Sequence, residues 1–199
     1  MDQSYLIKRC QVGDKQAFEE LYHRYCNQAI KTAYLISGQR GIAEDIVQEA
    51  FIQCYKQINQ LKEPEAFHAW FYKILIRCGW RMASRNRNGN SRTGLLENYN
   101  NIIDRNLWID DLVETKEAYL RVQQALEKLT TPLRTVVTLY YYNNMSIAEI
   151  ALALGCVQGT VKSRLHNAKK MLKKEMKRYF SDDDLLVGIE KQKESISNG

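Results

Sequence analysis

Apolar positions in this chain recur at helical spacing, and no stretch shows the strict alternation of a half-buried strand. Phe18, Leu21, Tyr22, Tyr25, Cys26, Ala29, Ile30 and Ala33 follow the i, i+3, i+4, i+7 rule. Ala43, Ile46, Val47, Ala50, Phe51, Cys54, Tyr55 and Ile58 do the same, as do Phe67, Trp70, Phe71, Ile74, Leu75, Cys78 and Met82. Gly38-Gln39-Arg40-Gly41 and Lys62-Glu63-Pro64-Glu65 separate the three stretches. The pattern predicts three long amphipathic helices that bury their stripes against one another as a bundle.

The spacing stops over residues 84–94, which are rich in Ser, Arg, Asn and Gly and hold no apolar side chain, the composition of a flexible linker. Residues 97–119 then carry six acids against Arg105 and Lys116. Helical spacing resumes with Leu120, Val122, Ala125, Leu126 and Leu129. Thr131-Pro132 marks a further helix start, since Thr can cap and Pro fits the first turn. That helix carries Val136, Val137, Leu139 and Tyr140 and is closed by Asn143-Asn144. The expectation is an all-α chain: a helical bundle over residues 1–83, a linker over 84–117, a second helical domain over 118–179 and a tail over 180–199.

Within the second domain, Ser146 and Glu149 form the S-x-x-E capping box, with Met145 and Ile150 at the staple positions around it. Gly155 can take the left-handed conformation of a tight turn, and a second helix begins near Gly159-Thr160. Small Ala151 sits four residues before that glycine, which is helix-turn-helix spacing. On the second helix Val161, Leu165, Ala168 and Leu172 form one apolar stripe. Ser163, His166, Asn167 and Lys170 point the opposite way, flanked by Lys162, Arg164 and Lys169. Residues 151–174 hold six Lys and Arg and no acid. Such a helix suits the major groove of DNA, its N-terminal part at base edges and its flanks on phosphates.

The third predicted helix of the bundle carries a different signal. Basic Lys73, Arg77, Arg81, Arg85, Arg87 and Arg92 follow one another without an acid, interleaved with Phe67, Trp70, Phe71, Tyr72 and Trp80. Rings beside a cationic track suit single-stranded nucleic acid, with bases stacked on aromatics and phosphates held by Lys and Arg. Phe67, Trp70 and Phe71 share the apolar stripe and read mainly as packing, whereas Tyr72 and Trp80 lie off its centre. On the second helix Asp45, Gln48, Glu49, Ile52 and Lys56 form a stripe opposite the apolar face, and Ile52 among polar neighbours marks a protein-docking patch.

The net charge of +6 agrees with an anionic partner. No apolar run approaches the roughly 20 residues of a spanning helix, and the first residues lack the cationic and apolar segments of a secretory signal. A cytoplasmic protein without membrane insertion is expected. The five cysteines are widely spaced with no CxxC pair, and those on apolar faces read as small buried hydrophobes. His23-x-x-Cys26 has no second pair to complete a metal site. No catalytic constellation, phosphate-cradling loop or cofactor motif is present, so neither metal nor cofactor is expected.

Taken together these stretches resemble the extracytoplasmic-function (ECF) group of sigma-70 RNA polymerase sigma factors. The resemblance rests on Phe18-Glu-Glu-Leu-Tyr22, Ala43-Glu-Asp-Ile-Val-Gln-Glu-Ala-Phe51, Ala69-Trp-Phe-Tyr-Lys-Ile74 and the segment from Ser146 to Ala168 with Gly159-Thr-Val-Lys-Ser-Arg-Leu165. It implies a core-polymerase-binding N-terminal domain that docks on the β′ coiled coil through Asp45, Gln48, Glu49 and Ile52, with the β subunit as a further contact. It implies that the same domain takes a flipped base of the melted minus-ten element near residues 61–68 and holds the strand with Lys62, Phe67, His68, Tyr72, Lys73, Arg77, Trp80, Arg81 and Arg85. The second domain would read the duplex minus-thirty-five element with Gln158, Thr160, Lys162, Ser163, Arg164, His166, Asn167, Lys169 and Lys170. The linker would pass near the RNA path, and an anti-sigma factor, often membrane-anchored, would hold the protein inactive; when active it would associate with the nucleoid. Arg77 and Arg81 stand where the family usually has Asn and Asp, and Val157 where Ser or Pro commonly caps the recognition helix. From the residues alone two other readings stay open. One is a helix-turn-helix regulator with an N-terminal sensor or dimerisation bundle. The other is a nucleic-acid-processing enzyme using the basic aromatic helix, which the lack of a metal or nucleotide motif disfavours.

Overall fold

In the computed structural model, which describes residues 2–88 and 116–176, every regular element is helical. The N-terminal half consists of α1 (Gln3–Gln11), α2 (Lys15–Ser37), α3 (Arg40–Gln57), two single 3-10 turns and α4 (Phe67–Asn88). Helix α1 lies outside the three expected helices; its Leu6, Ile7 and Cys10 are buried. The turn from α1 into α2 is set by charge. Asp14 accepts from the Ala17 N–H at 3.0 Å as the N-cap of α2, and Arg9 Nε donates to it at 2.8 Å. These two bonds hold the Asp14 carboxyl below its usual range. Gly38, at φ +77°, closes α2 in the left-handed region, where a Cβ would be strained.

An aromatic cluster fills the centre of this half. The Phe51 and Phe71 rings lie 4.9 Å apart, Tyr25 meets Phe67 at 5.1 Å, and Phe67 stacks on Phe71. Buried Cys10, Cys54 and Cys78 join the core, while Cys26 and Cys156 are half-buried, and all five are free thiols. Burial pushes the Cys10 and Cys54 thiols up to about 11 and about 12, which makes them inert packing groups.

The C-terminal half consists of α5 (Lys116–Glu127), α6 (Thr131–Val137), a π-helical stretch over Thr138–Tyr142, α7 (Ile147–Leu154) and α8 (Gln158–Met176). Thr130, not Thr131, occupies the N-cap of α6, with Pro132 in the first turn. The two halves pack together: α4 lies on α7, and α2 meets both α6 and the π stretch. Their buried side chains form one continuous apolar cluster. Residues 84–88, expected in the linker, continue α4. Asn143 closes the π stretch, as its sequence position implies, but does so from the interior, at 4% exposure. No helix among the described residues is long and apolar enough to cross a membrane.

Candidate nucleic-acid interface and docking groove

The helix-turn-helix forms as its sequence dictates. Ser146 Oγ accepts from the Glu149 N–H at 3.2 Å, and Glu149 Oε2 accepts from the Ser146 N–H at 2.8 Å, so both exposed donors at the start of α7 are satisfied. Met145 and Ile150 are buried around this box. Helix α7 ends at Gly155, at φ +64°, whose N–H bonds the Leu152 carbonyl while the Cys156 N–H bonds that of Ala151. That reversal turns the chain into α8. Val161, Leu165 and Ala168 of α8 are buried against α6 and α7, with Leu172 packed beside them. Gln158, Lys162, Ser163, His166, Asn167, Lys169 and Lys170 are exposed, and Thr160 and Arg164 are half-buried. The Lys169 ammonium lies 5.8 Å from the Tyr140 ring centre and 5.6 Å from that of Tyr141. One face of α8 therefore carries the fold, and the other offers cations and hydrogen-bonding groups to a groove.

Helix α4 is arranged differently from the expected strand-binding track. Lys62, Arg77, Trp80 and Arg81 are exposed, Lys73 and His68 are half-buried, and Arg85 lies further along the same helix. Phe67 is wholly buried in the aromatic cluster, contrary to its expected place among the strand contacts. Tyr72 is also 0% exposed, contrary to its expected place at the surface, because the C-terminal half covers it. Ile76, one turn on, is 2% exposed for the same reason. Arg81 Nη2 meets Glu49 Oε1 at 3.2 Å, so one expected strand contact is paired with one expected docking residue.

His68 sits where the two halves meet, its ring 4.9 Å from that of Tyr72 and 6.3 Å from that of Tyr25. Burial holds its pKa below the usual imidazole range, and the Glu149 carboxylate opposes that only partly. The folded protein therefore keeps His68 neutral at pH values where the unfolded chain already binds the proton. Stability should fall as pH drops below about 6.5 and level off beneath the depressed folded-state value. Thermal melts across this window test it: His68→Gln should flatten that part of the profile, and an unaltered slope would assign the loss to other groups.

The third surface is a groove of about 590 Å³ between α2 and α3, lined by Phe18, Tyr22, Ile30, Glu44, Val47, Gln48, Phe51, Ile52, Tyr55 and Lys56. Gln48 and Ile52 of the expected docking patch line it; Asp45 is exposed beside it, and Glu49 is turned towards Arg81 and Gln53. Tyr22 and Tyr55, assigned by periodicity to the core stripes, are in fact exposed rings on the groove wall. The Phe18 ring holds Tyr55 edge-on at 4.9 Å, and Phe51 holds Tyr22 at 4.8 Å. Partly buried aromatic anchors with an apolar centre and a polar rim suit a protein partner. Among the described residues no three His, Cys, Asp or Glu side chains converge as a metal site.

Residues 21–89 match the family described as Sigma-70 region 2, and residues 119–172 match Sigma-70, region 4. The chain is 29% identical over 177 residues to the ECF RNA polymerase sigma factor SigW of Bacillus subtilis, covering 86% of this chain and 95% of that protein. It is 30% identical over 179 residues to the ECF RNA polymerase sigma-E factor of Haemophilus influenzae, covering 86% and 93%. The solved structure of CnrH in complex with the cytosolic domain of CnrY is 21% identical, with a TM-score of 0.65 over 89% of this chain and 99% of that one, a likeness of fold.

Proposed function

The chain belongs to the extracytoplasmic-function group of sigma-70 RNA polymerase sigma factors, and from that premise we propose how its surfaces divide the work of starting transcription. It binds core RNA polymerase, directs it to promoters and assists melting of the start site. The groove between α2 and α3, with Gln48 and Ile52 in its lining and Asp45 and Glu49 alongside, docks on the β′ coiled coil, and the β subunit supplies a second contact. Helix α8 enters the major groove of the minus-thirty-five element, with Lys162, Ser163 and His166 at base edges and Lys169 and Lys170 towards phosphates. Helix α4 holds the melted minus-ten strand through Lys73, Arg77, Trp80, Arg81 and Arg85, with Lys62 and His68 near the extruded base. Extruding a base costs a few kcal/mol, which stacking at about 1–3 kcal/mol per base and phosphate contacts offset.

The working units are residues 1–88 and 118–179, joined by the acidic linker and followed by the tail. The chain itself performs no covalent step and needs no cofactor. It acts in the cytoplasm and joins the nucleoid when active. An anti-sigma factor, membrane-anchored or soluble, restrains it, a proposal supported by the CnrH likeness, since that protein was solved with CnrY.

The observation that carries this reading is the one-sided α8, cationic and exposed on one face and wholly apolar on the other, behind a satisfied capping box. Reconstitution with core polymerase, followed by mapping of start sites, tests it. Promoter-specific initiation should appear only when the chain is added. Lys162→Ala or His166→Ala should cost about 1–3 kcal/mol at a base-contacting position while core capture is kept. Loss of core capture by both variants would show the faces to be misassigned.

A further inference from the structure

We propose that α1 is the frame of the loop that accepts the extruded base, and that Gln11 is its positioning residue, setting how sharply that base is chosen. This rests on the reading that places the extruded base beside Lys62 and His68, and it concerns what holds that loop in place.

The segment between α3 and α4 has little structure of its own. It consists of two 3-10 turns, Ile58–Gln60 and Pro64–Ala66, joined by Leu61, Lys62 and Glu63. The Leu61 N–H bonds the Ile58 carbonyl at 3.2 Å, and the Ala66 N–H bonds that of Glu63 at 3.0 Å. Turns this short, with the poorer hydrogen-bond geometry of a 3-10 helix, do little to fix their own conformation. Ile58, Leu61 and Pro64 are buried and seat the segment on the bundle. Asn59, Gln60, Lys62, Glu63 and Glu65 stay exposed.

Helix α1 supplies the missing rigidity. It packs against both turns as well as α2, and its buried Leu6, Ile7 and Cys10 anchor it. Gln11 Nε2 donates to the Ile58 carbonyl at 3.1 Å and to the Leu61 carbonyl at 2.6 Å. An amide nitrogen carries two hydrogens, and here both are spent on the first turn, one at its start and one just past its end. A single side chain thereby fixes the backbone on either side of Asn59 and Gln60. At the second turn Ser4 Oγ donates to Glu65 Oε1 at 2.9 Å, so α1 grips the segment near both of its own ends.

The donors of Gln11 are consumed inside the protein, so it acts on DNA through the loop. An extruded base is read by hydrogen bonds at its Watson–Crick edge, and such groups must be held to within a fraction of an ångström. A loop free to shift accommodates a wrong base by moving, and choice between bases is lost before binding is. The buried Ile58, Leu61 and Pro64 keep the segment seated without Gln11, so its removal loosens reading and spares the fold.

The test uses core polymerase reconstituted with the full-length chain on a promoter found by start-site mapping. The minus-ten position most sensitive to base identity is located with the wild type. All four bases and an abasic site are then compared there for open-complex formation. Gln11→Met keeps the volume of the side chain and removes both donors. It should lower the preference for the best base about fivefold, the equivalent of one hydrogen bond, while wild type and variant open the abasic template equally. Gln11→Lys restores donors and should recover most of the preference. Ser4→Ala frees the second turn and should act in the same direction more weakly, which keeps the test open if the Gln11 variants unfold. An unaltered preference in the folded variants, a loss shared by the abasic template, or equal losses in Gln11→Met and Gln11→Lys would each overturn the proposal. Failure of the underlying reading looks different: the wild type itself would then show no choice of base at any minus-ten position.

Discussion

Ile52→Glu should weaken capture of core polymerase by about 30-fold or more, the loss expected when a central interface anchor worth roughly 2 kcal/mol is removed. Ile52 lines the groove between α2 and α3 and is 42% exposed, a large apolar side chain half open to water among Gln48, Tyr55 and Lys56. In the free chain glutamate at this position keeps its carboxylate in water, so the helical circular-dichroism signal and the melting temperature should hold. In the complex the carboxylate loses its water in the apolar centre of the interface, a cost that an exposed i,i+4 pairing with Lys56 offsets by only about 0.3 kcal/mol. Competition between wild type and variant for a limiting amount of core separates the two effects. Equal capture by both would remove the groove from the docking surface; a lowered melting temperature would show Ile52 to be structural. Tyr22 and Tyr55 on the groove wall should act in the same sense, because their rings are pinned by Phe51 and Phe18 and lose little freedom on binding.

The exposure of those two tyrosines marks the limit of what periodicity can tell. Helical spacing identified α2, α3 and α4 because each buries a stripe in the same bundle, and it identified α8 because one face is apolar and the other cationic. The capping box and Gly155 were equally legible, since their chemistry is local: a hydroxyl, a carboxylate three residues on and a residue free to take positive φ. Helix α1 was missed because nine residues give barely two turns of pattern, and its hold on the rest comes from elsewhere in the chain. Gln11 Nε2, at its end, donates to the Ile58 and Leu61 carbonyls at 3.1 and 2.6 Å, partners some fifty positions away. Tyr72 was misread for the same reason. A tyrosine off the core stripe looks free until a second half covers it, and an Asn-Asn helix end gives no sign that its amide meets Thr32 across the seam. Long-range pairing of polar groups leaves no period in a sequence. An apolar Ile76 beside Tyr72 was the one available hint that α4 has two faces to bury.

Phe71→Ala should be the most destabilising single change, and the shape of the resulting melt bears on whether the halves are coupled. Phe71 is wholly buried, with its ring centre 4.9 Å from Phe51, 5.8 Å from both Tyr25 and Phe67, and 5.7 Å from Tyr72. Deleting a ring so enclosed removes its transfer free energy and leaves a cavity the surrounding rings cannot fill, about 3–5 kcal/mol in all. For a chain of this size that corresponds to a fall in melting temperature of roughly 10 °C. The cavity opens on the bundle side of α4, yet Tyr72, the next residue, carries the bond to Asn143 on the other side. If the two halves melt as one unit through their continuous core, calorimetry should show a single endotherm in the wild type, displaced as a whole by Phe71→Ala. If they melt separately, only the transition of the N-terminal half should move, and helix-turn-helix stability should be indifferent to the aromatic cluster. The first outcome fits a chain that closes on itself when free, because a loosened bundle then also loosens the surface on which Asn143 is seated. The second would mean that the contact between α4 and α7 contributes too little to couple them, and the closed state would have to be maintained by something outside the chain.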